Sequence, residues 1–215
     1  MRLVYARRKI GLVAAASSLL GIAGLINSPS ASATLPTPVS ASTAHTYLSS
    51  LTVAAEDRTG YKRELFKTWT TASGTCNTRE YVLRRDGNKV QTAPSCVPLS
   101  GSWYSPYDGA TWHSPTDLDI DHVVPLAEAW DSGADAWTSS KREALANDIT
   151  RPQLIAVTDN VNQSKGDQDP AEWLPPRTAY RCTYTRAWIQ VKHYYHLSVD
   201  PAEKAALTSA LANCT

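Results

Sequence analysis

An aspartate and a histidine are adjacent at positions 121 and 122, and an N-x-x-K pair begins forty residues after the histidine. Asp121 offers hard carboxylate oxygen, which suits Mg²⁺, Mn²⁺ or Ca²⁺. His122 is ordinarily neutral near pH 7 and can take a proton from water. Asn162 adds a carbonyl oxygen, and Lys165 follows one helical turn later, so both can face one phosphate. Together these residues predict cation-assisted hydrolysis of a phosphodiester.

Several neighbouring residues compete for roles in such a site. Asp119 lies two residues before Asp121, so on a strand both side chains share a face; it could hold a metal-bound water or be a solvated or capping acid. Asn160 rivals Asn162, but only Asn162 has the N-x-x-K spacing. Glu128 could approach the site from the first helical turns after Pro125. An isolated histidine is more often structural, and here the neighbouring residues favour catalysis.

The elements around these residues are predicted to form two strands and a helix. Alternating apolar residues and acids predict a short strand over 118–123, and 154–157 is β-like. A helix is expected over 159–165, ended by Gly166. Two helical stretches, 126–137 and 139–147, separate the strands. Strand, strand and helix around one cation is the ββα-metal pattern, and the predicted fold class is α+β.

The rest of the chain predicts further helices and a hairpin. Helices are expected over 45–59, over 179–195, and from Asp200, where an Asp-Pro-Ala-Glu start provides a cap. A strand-like run over 76–83 and a returning strand over 89–92 flank Asp86-Gly87, which favours a hairpin turn. This hairpin is expected to lead into an aromatic loop over 101–109.

The amino terminus has the composition of an export signal. A basic beginning, an apolar stretch over 10–26 and an A-x-A signal at 31–33 predict a signal peptide over residues 1–33. An uncleaved anchor is the alternative. A flexible spacer over 34–44 and one domain over 45–215 are expected to follow. The predicted location is extracellular, without stable membrane association after cleavage and without a protein partner.

The charge balance argues against binding nucleic acid through overall charge. The chain has 21 Lys+Arg and 20 Asp+Glu and a formal net charge of +1. Four basic residues and no acids lie in the predicted leader, which leaves 17 against 20, a net charge of −3. A nuclease remains compatible with this balance, because carboxylate ligands add negative charge and a local basic groove can coexist with them.

Four cysteines in an exported chain predict two disulfides, for which three pairings are possible. The pairs Cys76–Cys96 and Cys182–Cys214 are favoured, because each brackets a local unit. A zinc site is the alternative, but no pair has the usual ligand spacing.

Longer stretches of the chain resemble secreted bacterial HNH endonucleases, within the family of the GmrSD-type restriction endonuclease C-terminal domain, whose hallmark is H-x-x-P. DIDHVVP at 119–125 and NQSK at 162–165 carry the resemblance most directly. The similar segments are 79–85, 101–109, 117–137, 145–150, 153–176 and 180–195. The resemblance covers most of the chain from about residue 45 onward.

The resemblance implies metal-dependent cleavage of DNA, with RNA as a further substrate. By position, Asp121 and Asn162 would be metal ligands and His122 the general base; Mg²⁺ is the expected ion, with Mn²⁺, Ca²⁺ and Zn²⁺ as alternatives. One departure concerns the asparagine that usually precedes the second strand and orients the base. Gln153 occupies that position and Asn147 lies upstream, so either is a candidate for this role.

Two other functions remain open from the sequence. A non-catalytic extracellular module could bind wall glycans through some of the seven Trp and ten Tyr residues. Another metal-dependent phosphoesterase would share the logic of the site. The small size of the chain, without a recognition domain, favours cleavage of low sequence specificity.

Overall fold

The computed structural model describes residues 36–214, and the predicted signal peptide lies outside this range. The helices are α1 (Ala41–Ser50), α2 (Thr78–Asp86), α3 (Leu126–Asp131), α4 (Ser139–Ala146), α5 (Asp159–Lys165), α6 (Thr178–Tyr195) and α7 (Pro201–Ala212). The strands are β1 (Thr71–Ser73), β2 (Cys76–Asn77), β3 (Gly87–Thr92), β4 (Pro98–Tyr104), β5 (Thr111–Trp112), β6 (Leu118–His122) and β7 (Leu154–Thr158). This mixture confirms the α+β class.

The strands form three small antiparallel sheets within the described range. β1 pairs with β2, β3 and β5 flank β4, and β6 pairs with β7. Asp121 lies opposite Ile155 and His122 opposite Leu154. β7 runs directly into α5, which contacts both strands of its sheet. The predicted strand–strand–helix unit is confirmed, with α3 and α4 between its strands.

Two hydrophobic clusters hold these elements in place. The larger one joins α1, α3, α6 and α7 and includes the fully buried Trp188 and Leu207. The smaller one packs α2 and β4 against one face of the β6–β7 pair, where Leu118 and Ile120 are buried. Because strand side chains alternate, Asp119 and Asp121 face the other way, toward α5.

A buried ion network ties α3, α6 and α7 together. Lys192 Nζ donates to a carboxylate oxygen of Glu128, to Glu203 Oε2 at 3.0 Å and to the Ser198 carbonyl at 2.8 Å. Trp188 Nε1 donates to Glu203 Oε1 at 2.5 Å. Burial opposes the charged ammonium, but the two carboxylates outweigh it and raise the pKa of Lys192. Glu128 is therefore a structural partner of Lys192.

The predicted strand over 76–83 is wrong, because a helix begins there. Asn77 Oδ1 accepts from the Glu80 amide, and the Glu80 carboxylate accepts from the Asn77 amide, each at 2.9 Å. This capping box starts α2 directly after the two residues of β2. The predicted strand over 89–92 exists within β3, but its partner is β4, which occupies part of the predicted aromatic loop.

The amino-terminal helix starts earlier than expected, inside the segment predicted as a spacer. Ser40 caps α1 by accepting from the Thr43 amide, and the Val39 amide donates to Gln190 Oε1 at 2.9 Å. Ala44 and Leu48 are buried in the larger cluster. The segment from 39 onward is therefore fixed against α6.

Both favoured disulfides are present. Cys76 is bonded to Cys96, and Cys182 to Cys214, which confirms the predicted pairing and leaves no free cysteine. The first joins β2 to the segment before β4, and the second joins α6 to the end of α7. Over residues 36–214, the structure contains no helix long and apolar enough to cross a membrane.

Candidate active site

A cleft of about 190 Å³ opens beside β6 and α5, and three predicted site residues line it: Asp121, His122 and Asn162. Asp121 and His122 point to opposite faces of β6, but β7 covers only one edge of that strand. Residues from both faces of β6 line the same cleft. The remaining lining residues are Arg63, Ile120, Pro125, Leu126, Gln163, Gly166 and Asp167.

The Asp121 carboxylate is held from two sides. Lys165 Nζ donates to Oδ1 at 2.8 Å, and the Tyr107 hydroxyl donates to Oδ2 at 2.5 Å. Burial raises the pKa of Asp121, against the attraction of the Lys165 ammonium, which favours the carboxylate. Burial also raises the pKa of Tyr107 well above its ordinary value, so the phenol remains a donor.

Lys165 differs from its predicted placement toward a substrate phosphate. Its side chain is fully buried, and Nζ also donates to the His122 carbonyl at 2.8 Å. Burial lowers the pKa of Lys165, although the neighbouring Asp121 favours the charged form. In this position Lys165 cross-links α5 to the end of β6 and orients Asp121.

The His122 imidazole is held by a hydrogen bond at one of its two nitrogens, Nε2. Nε2 lies 2.9 Å from the Ala146 carbonyl, and because a carbonyl can only accept, Nε2 carries the proton in this contact. Burial, with smaller effects of Arg63 and Lys165, lowers the pKa of His122 to about 4. The ring is therefore neutral near pH 7, and Nδ1 keeps its lone pair. Over residues 36–214, no hydrogen bond to Nδ1 is present.

Within residues 36–214, neither residue predicted to orient the base forms a side-chain hydrogen bond with His122. The Gln153 side chain accepts from the Val124 amide at 3.1 Å and donates to the Val124 carbonyl at 2.8 Å, which fixes the turn after β6. The Asn147 side chain bonds the segment around residues 67–70. The group that orients His122 is the carbonyl of Ala146, the last residue of α4, where helix carbonyls lack intrahelical partners.

Asp119 and Asn162 form a pair at the rim of the cleft. Asn162 Nδ2 donates to Asp119 Oδ2 at 3.1 Å, which fixes the orientation of the amide. In the described part of the chain no donor reaches Asn162 Oδ1. Asp119 therefore orients Asn162, and the carbonyl oxygen predicted as a ligand keeps its lone pairs.

These side chains fit a hard divalent cation by donor type. The free Oδ1 of Asn162 and the carboxylate of Asp121 are oxygen donors of the kind that Mg²⁺ binds. Each Asp121 oxygen has one protein donor and retains a second lone pair. Asp121 and Asn162 are the residues that would hold the ion, with Asp119 supporting Asn162.

Among residues 36–214, two other groups of acids occur, and cations compensate members of one of them. Two groups of three acids lie close enough to share an ion, and both include the exposed Glu56. In one of them, Glu128 is bound by Lys192 and Asp131 by Arg58. These acids belong to the scaffold.

The sequence matches the family of GmrSD restriction endonucleases, C-terminal domain, over residues 64–210. That match spans more than half of the chain and all of the cleft except Arg63. The chain belongs to this family. Apart from Arg63, the cleft therefore lies within the region that matches this restriction-endonuclease domain.

A relative supports the predicted location outside the cell. The chain is 57% identical over 198 residues to an "Uncharacterized secreted protein" of Arthroderma benhamiae. The aligned region covers 92% of this chain and 97% of the relative. This similarity and the two disulfides confirm the secreted location. The relative is fungal and does not support the bacterial part of the resemblance. No solved structure shows a significant match.

Sequence patterns miss or misplace three groups that contact Asp121 or His122. Tyr107 belongs to the predicted aromatic loop over 101–109, but its buried hydroxyl donates to Asp121. The Ala146 carbonyl has no side-chain signal at all. Trp69, whose ring lies 5.7 Å from the His122 ring, stands outside every motif that indicated the site. The feature that distinguishes Trp69 is its positive φ angle, which the sequence does not indicate.

Proposed function

We propose that the protein is a secreted, metal-dependent endonuclease of the HNH type that hydrolyses phosphodiester bonds of DNA with low sequence specificity. The observation that carries this proposal is the convergence of Asp121, His122 and Asn162 on one cleft. Membership of a restriction-endonuclease family supports the same reaction class. RNA is the second substrate to test.

His122 Nδ1 is the atom that takes the proton from the attacking water. The Nε2 hydrogen bond to Ala146 selects the tautomer in which Nδ1 is basic. Arg63 is exposed at the rim of the cleft, where its guanidinium can bind a phosphate oxygen. A divalent ion held by Asp121 and Asn162 would supply positive charge against the phosphoryl and leaving oxygens.

The alternative of a glycan-binding module finds less support in the structure. Trp103, Tyr107, Tyr184 and Trp188 are buried in the two hydrophobic clusters. Their rings are therefore committed to packing, and a sugar-binding platform would need exposed rings.

The decisive test is cleavage of plasmid DNA and of RNA by the purified secreted protein with Mg²⁺, Mn²⁺, Ca²⁺ or Zn²⁺. His122→Ala is expected to lower the rate by roughly 10²–10⁴-fold, the usual contribution of a general base. EDTA is expected to stop the reaction. His113→Ala is the matched control, because His113 is exposed and lies outside the cleft. Equal rates for wild type and His122→Ala would refute the proposal.

A further inference from the structure

Trp69 has a backbone conformation that bulky residues rarely adopt. Its φ angle is 56°, in the left-handed region that favours glycine. Such conformations cost free energy and persist only where the surroundings impose them, often at active sites. His196 also has positive φ, but it ends α6 as a left-handed cap, a common use of this conformation. Trp69 ends no helix.

Hydrogen bonds on both sides of Trp69 impose this conformation. Asn147 Nδ2 donates to the Lys67 carbonyl at 2.8 Å, and Asn147 Oδ1 accepts from the Thr70 amide at 3.0 Å. One side-chain amide therefore spans the backbone before and after Trp69. Thr78 reinforces it, since its hydroxyl is 2.9 Å from Asn147 Oδ1 and 3.0 Å from the Thr70 carbonyl. We call this arrangement of Asn147, Thr78 and Thr70 the Trp69 clamp.

The clamp places the Trp69 ring against the imidazole of His122. The ring centroids are 5.7 Å apart, and the planes are inclined by 31°. Asn147 directly follows Ala146, whose carbonyl accepts from His122 Nε2 at 2.9 Å. The end of α4 thus fixes the imidazole in two ways. The Ala146 carbonyl accepts from Nε2, and Asn147 fixes the backbone around Trp69, whose indole lies beside the imidazole ring.

We propose that Trp69 is a positioning residue that keeps the His122 ring in its reactive orientation. This inference rests on the proposed nuclease function. The covalent bond to Cβ and the hydrogen bond at Nε2 hold opposite ends of the imidazole, but rotation about the Cβ–Cγ bond can still displace Nδ1. An aromatic ring packed against the imidazole removes this freedom, and small displacements of a reacting group reduce rates strongly.

The packing of Trp69 argues for positioning rather than for stacking on a nucleobase. The side chain is partly buried and packs against the smaller hydrophobic cluster of α2, β4, β6 and β7. The indole therefore lies between that cluster and His122. A substrate-stacking role would instead change substrate affinity, which the experiment can separate from turnover.

The test replaces Trp69 with Gly and with Phe. Glycine adopts positive φ freely, so Trp69→Gly keeps the clamped backbone while it removes the ring. We expect kcat on plasmid DNA to fall roughly ten- to a hundredfold, with KM changed by less than about twofold. Trp69→Phe is expected to recover most of the loss. A raised KM with unchanged kcat, or no change in either, would overturn the proposal.

Tyr81→Ala is the matched control for packing. Tyr81 also packs, partly buried, against the smaller cluster, and its ring has no contact with His122 among the aromatic pairs of the described chain. We expect kcat of this variant to stay near the wild-type value. A loss equal to that of Trp69→Gly would show that general loosening of the cluster, and not the ring beside His122, is responsible.

A spectroscopic measurement separates this inference from the nuclease proposal. Imidazole ¹⁵N–¹H spectra, assigned with His122→Asn, should show a protected Nε2–H proton of His122 in the wild type. In Trp69→Gly we expect exchange of this proton with water to quicken at least roughly tenfold. Unchanged exchange would refute the positioning role even if the protein cleaves DNA. Faster exchange in a protein without nuclease activity would support the positioning role and refute the proposed function.

Discussion

At the scale of single residues, the contact between His122 Nε2 and the Ala146 carbonyl divides the imidazole between two tasks. Nε2 holds the ring in place, and Nδ1 remains available for chemistry. The Asp121 carboxylate is also held in place, because Lys165 donates to one of its oxygens and Tyr107 donates to the other. In the proposed reaction, the two groups would therefore be oriented before a substrate binds, which is how fixed geometry contributes to a rate.

Asn162 should govern metal binding, because Asp119 accepts from its Nδ2 and no donor among residues 36–214 reaches its Oδ1. We expect Asn162→Ala to raise the Mn²⁺ concentration needed for half-maximal cleavage at least roughly tenfold. The shift of the melting temperature with added Mn²⁺ should weaken in parallel. Asn160→Ala is the control, since Asn160 is exposed on the same helix and does not line the cleft. Equal Mn²⁺ requirements in both variants would contradict the assignment.

Arg63 should contribute to substrate binding more than to turnover. Its exposed guanidinium lines the cleft, whereas the adjacent Lys62 is exposed without lining it. We expect Arg63→Gln to raise KM roughly five- to tenfold with kcat nearly unchanged, and to lower the salt dependence of binding by about one phosphate contact. Lys62→Gln should change KM much less. A loss confined to kcat would place Arg63 elsewhere in the mechanism.

The sequence could identify side chains but not the atoms that position them. Asp121, His122 and Asn162 were found because their types and spacing have chemical meaning. The sequence points to the amide side chains of Gln153 and Asn147 as orienting groups, because a backbone carbonyl is the same in every residue and gives no signal. Lys165 was expected to face a phosphate, and its burial follows from tertiary packing that spacing does not encode.

At the scale of elements, α5 shows how one turn of helix serves two environments. Asn162 lines the cleft, while Lys165, three residues later, reaches the buried carboxylate beneath it. β7, α5 and α7 were predictable because apolar runs, caps and a terminal glycine agree on their limits. α2 and β4 were not, because the capping box at Asn77 overrides the strand-like residues that follow it.

The two disulfides should differ in their effect on catalysis. Cys76 directly precedes Asn77 and Thr78, and Thr78 belongs to the Trp69 clamp. We expect Cys76→Ser/Cys96→Ser to lower the free energy of unfolding by about 3 kcal/mol, as expected for a loop of this length, and also to lower kcat. Urea denaturation and initial rates at low temperature would measure the two effects.

The second disulfide supplies the control for this comparison. Cys182–Cys214 links α6 to the end of α7 with a sequence separation of 32 against 20 for Cys76–Cys96, and neither Cys182 nor Cys214 lines the cleft. Cys182→Ser/Cys214→Ser should destabilise the protein by a similar amount while the folded fraction keeps its kcat. Equal loss of kcat in both double variants would indicate that the first disulfide has no specific link to the site.

At the scale of the whole molecule, the fold buries several tyrosine hydroxyls that do not line the cleft. Burial raises the pKa of Tyr184 well above its ordinary value, and those of Tyr180 and Tyr195 are also raised, chiefly by burial. In the unfolded chain these phenols titrate near their ordinary pKa of about 10. The folded protein therefore binds their protons more tightly than the unfolded chain does.

This difference predicts alkaline destabilisation. A raised pKa in the folded state contributes stability that is complete below about pH 10 and is lost as pH rises further. We expect the free energy of unfolding to fall by up to about 1.4 kcal/mol per pH unit for each of the three phenols. Urea denaturation at pH 9, 10 and 11, with tyrosinate absorbance as the probe, would measure it. Constant stability over this range would contradict the burial of these hydroxyls.

The helix α1 lies ahead of the region shared with the family, which spans residues 64–210. It nonetheless places Ala44 and Leu48 in the larger hydrophobic cluster, and Cys214, the partner of Cys182, lies beyond the other end. A fragment limited to residues 64–210 would therefore expose apolar residues of α6 that α1 covers in the full chain. It would also contain Cys182 without its disulfide partner. Such a fragment would be prone to self-association and intermolecular crosslinking, so the unit suited to expression is longer than the range that matches the family.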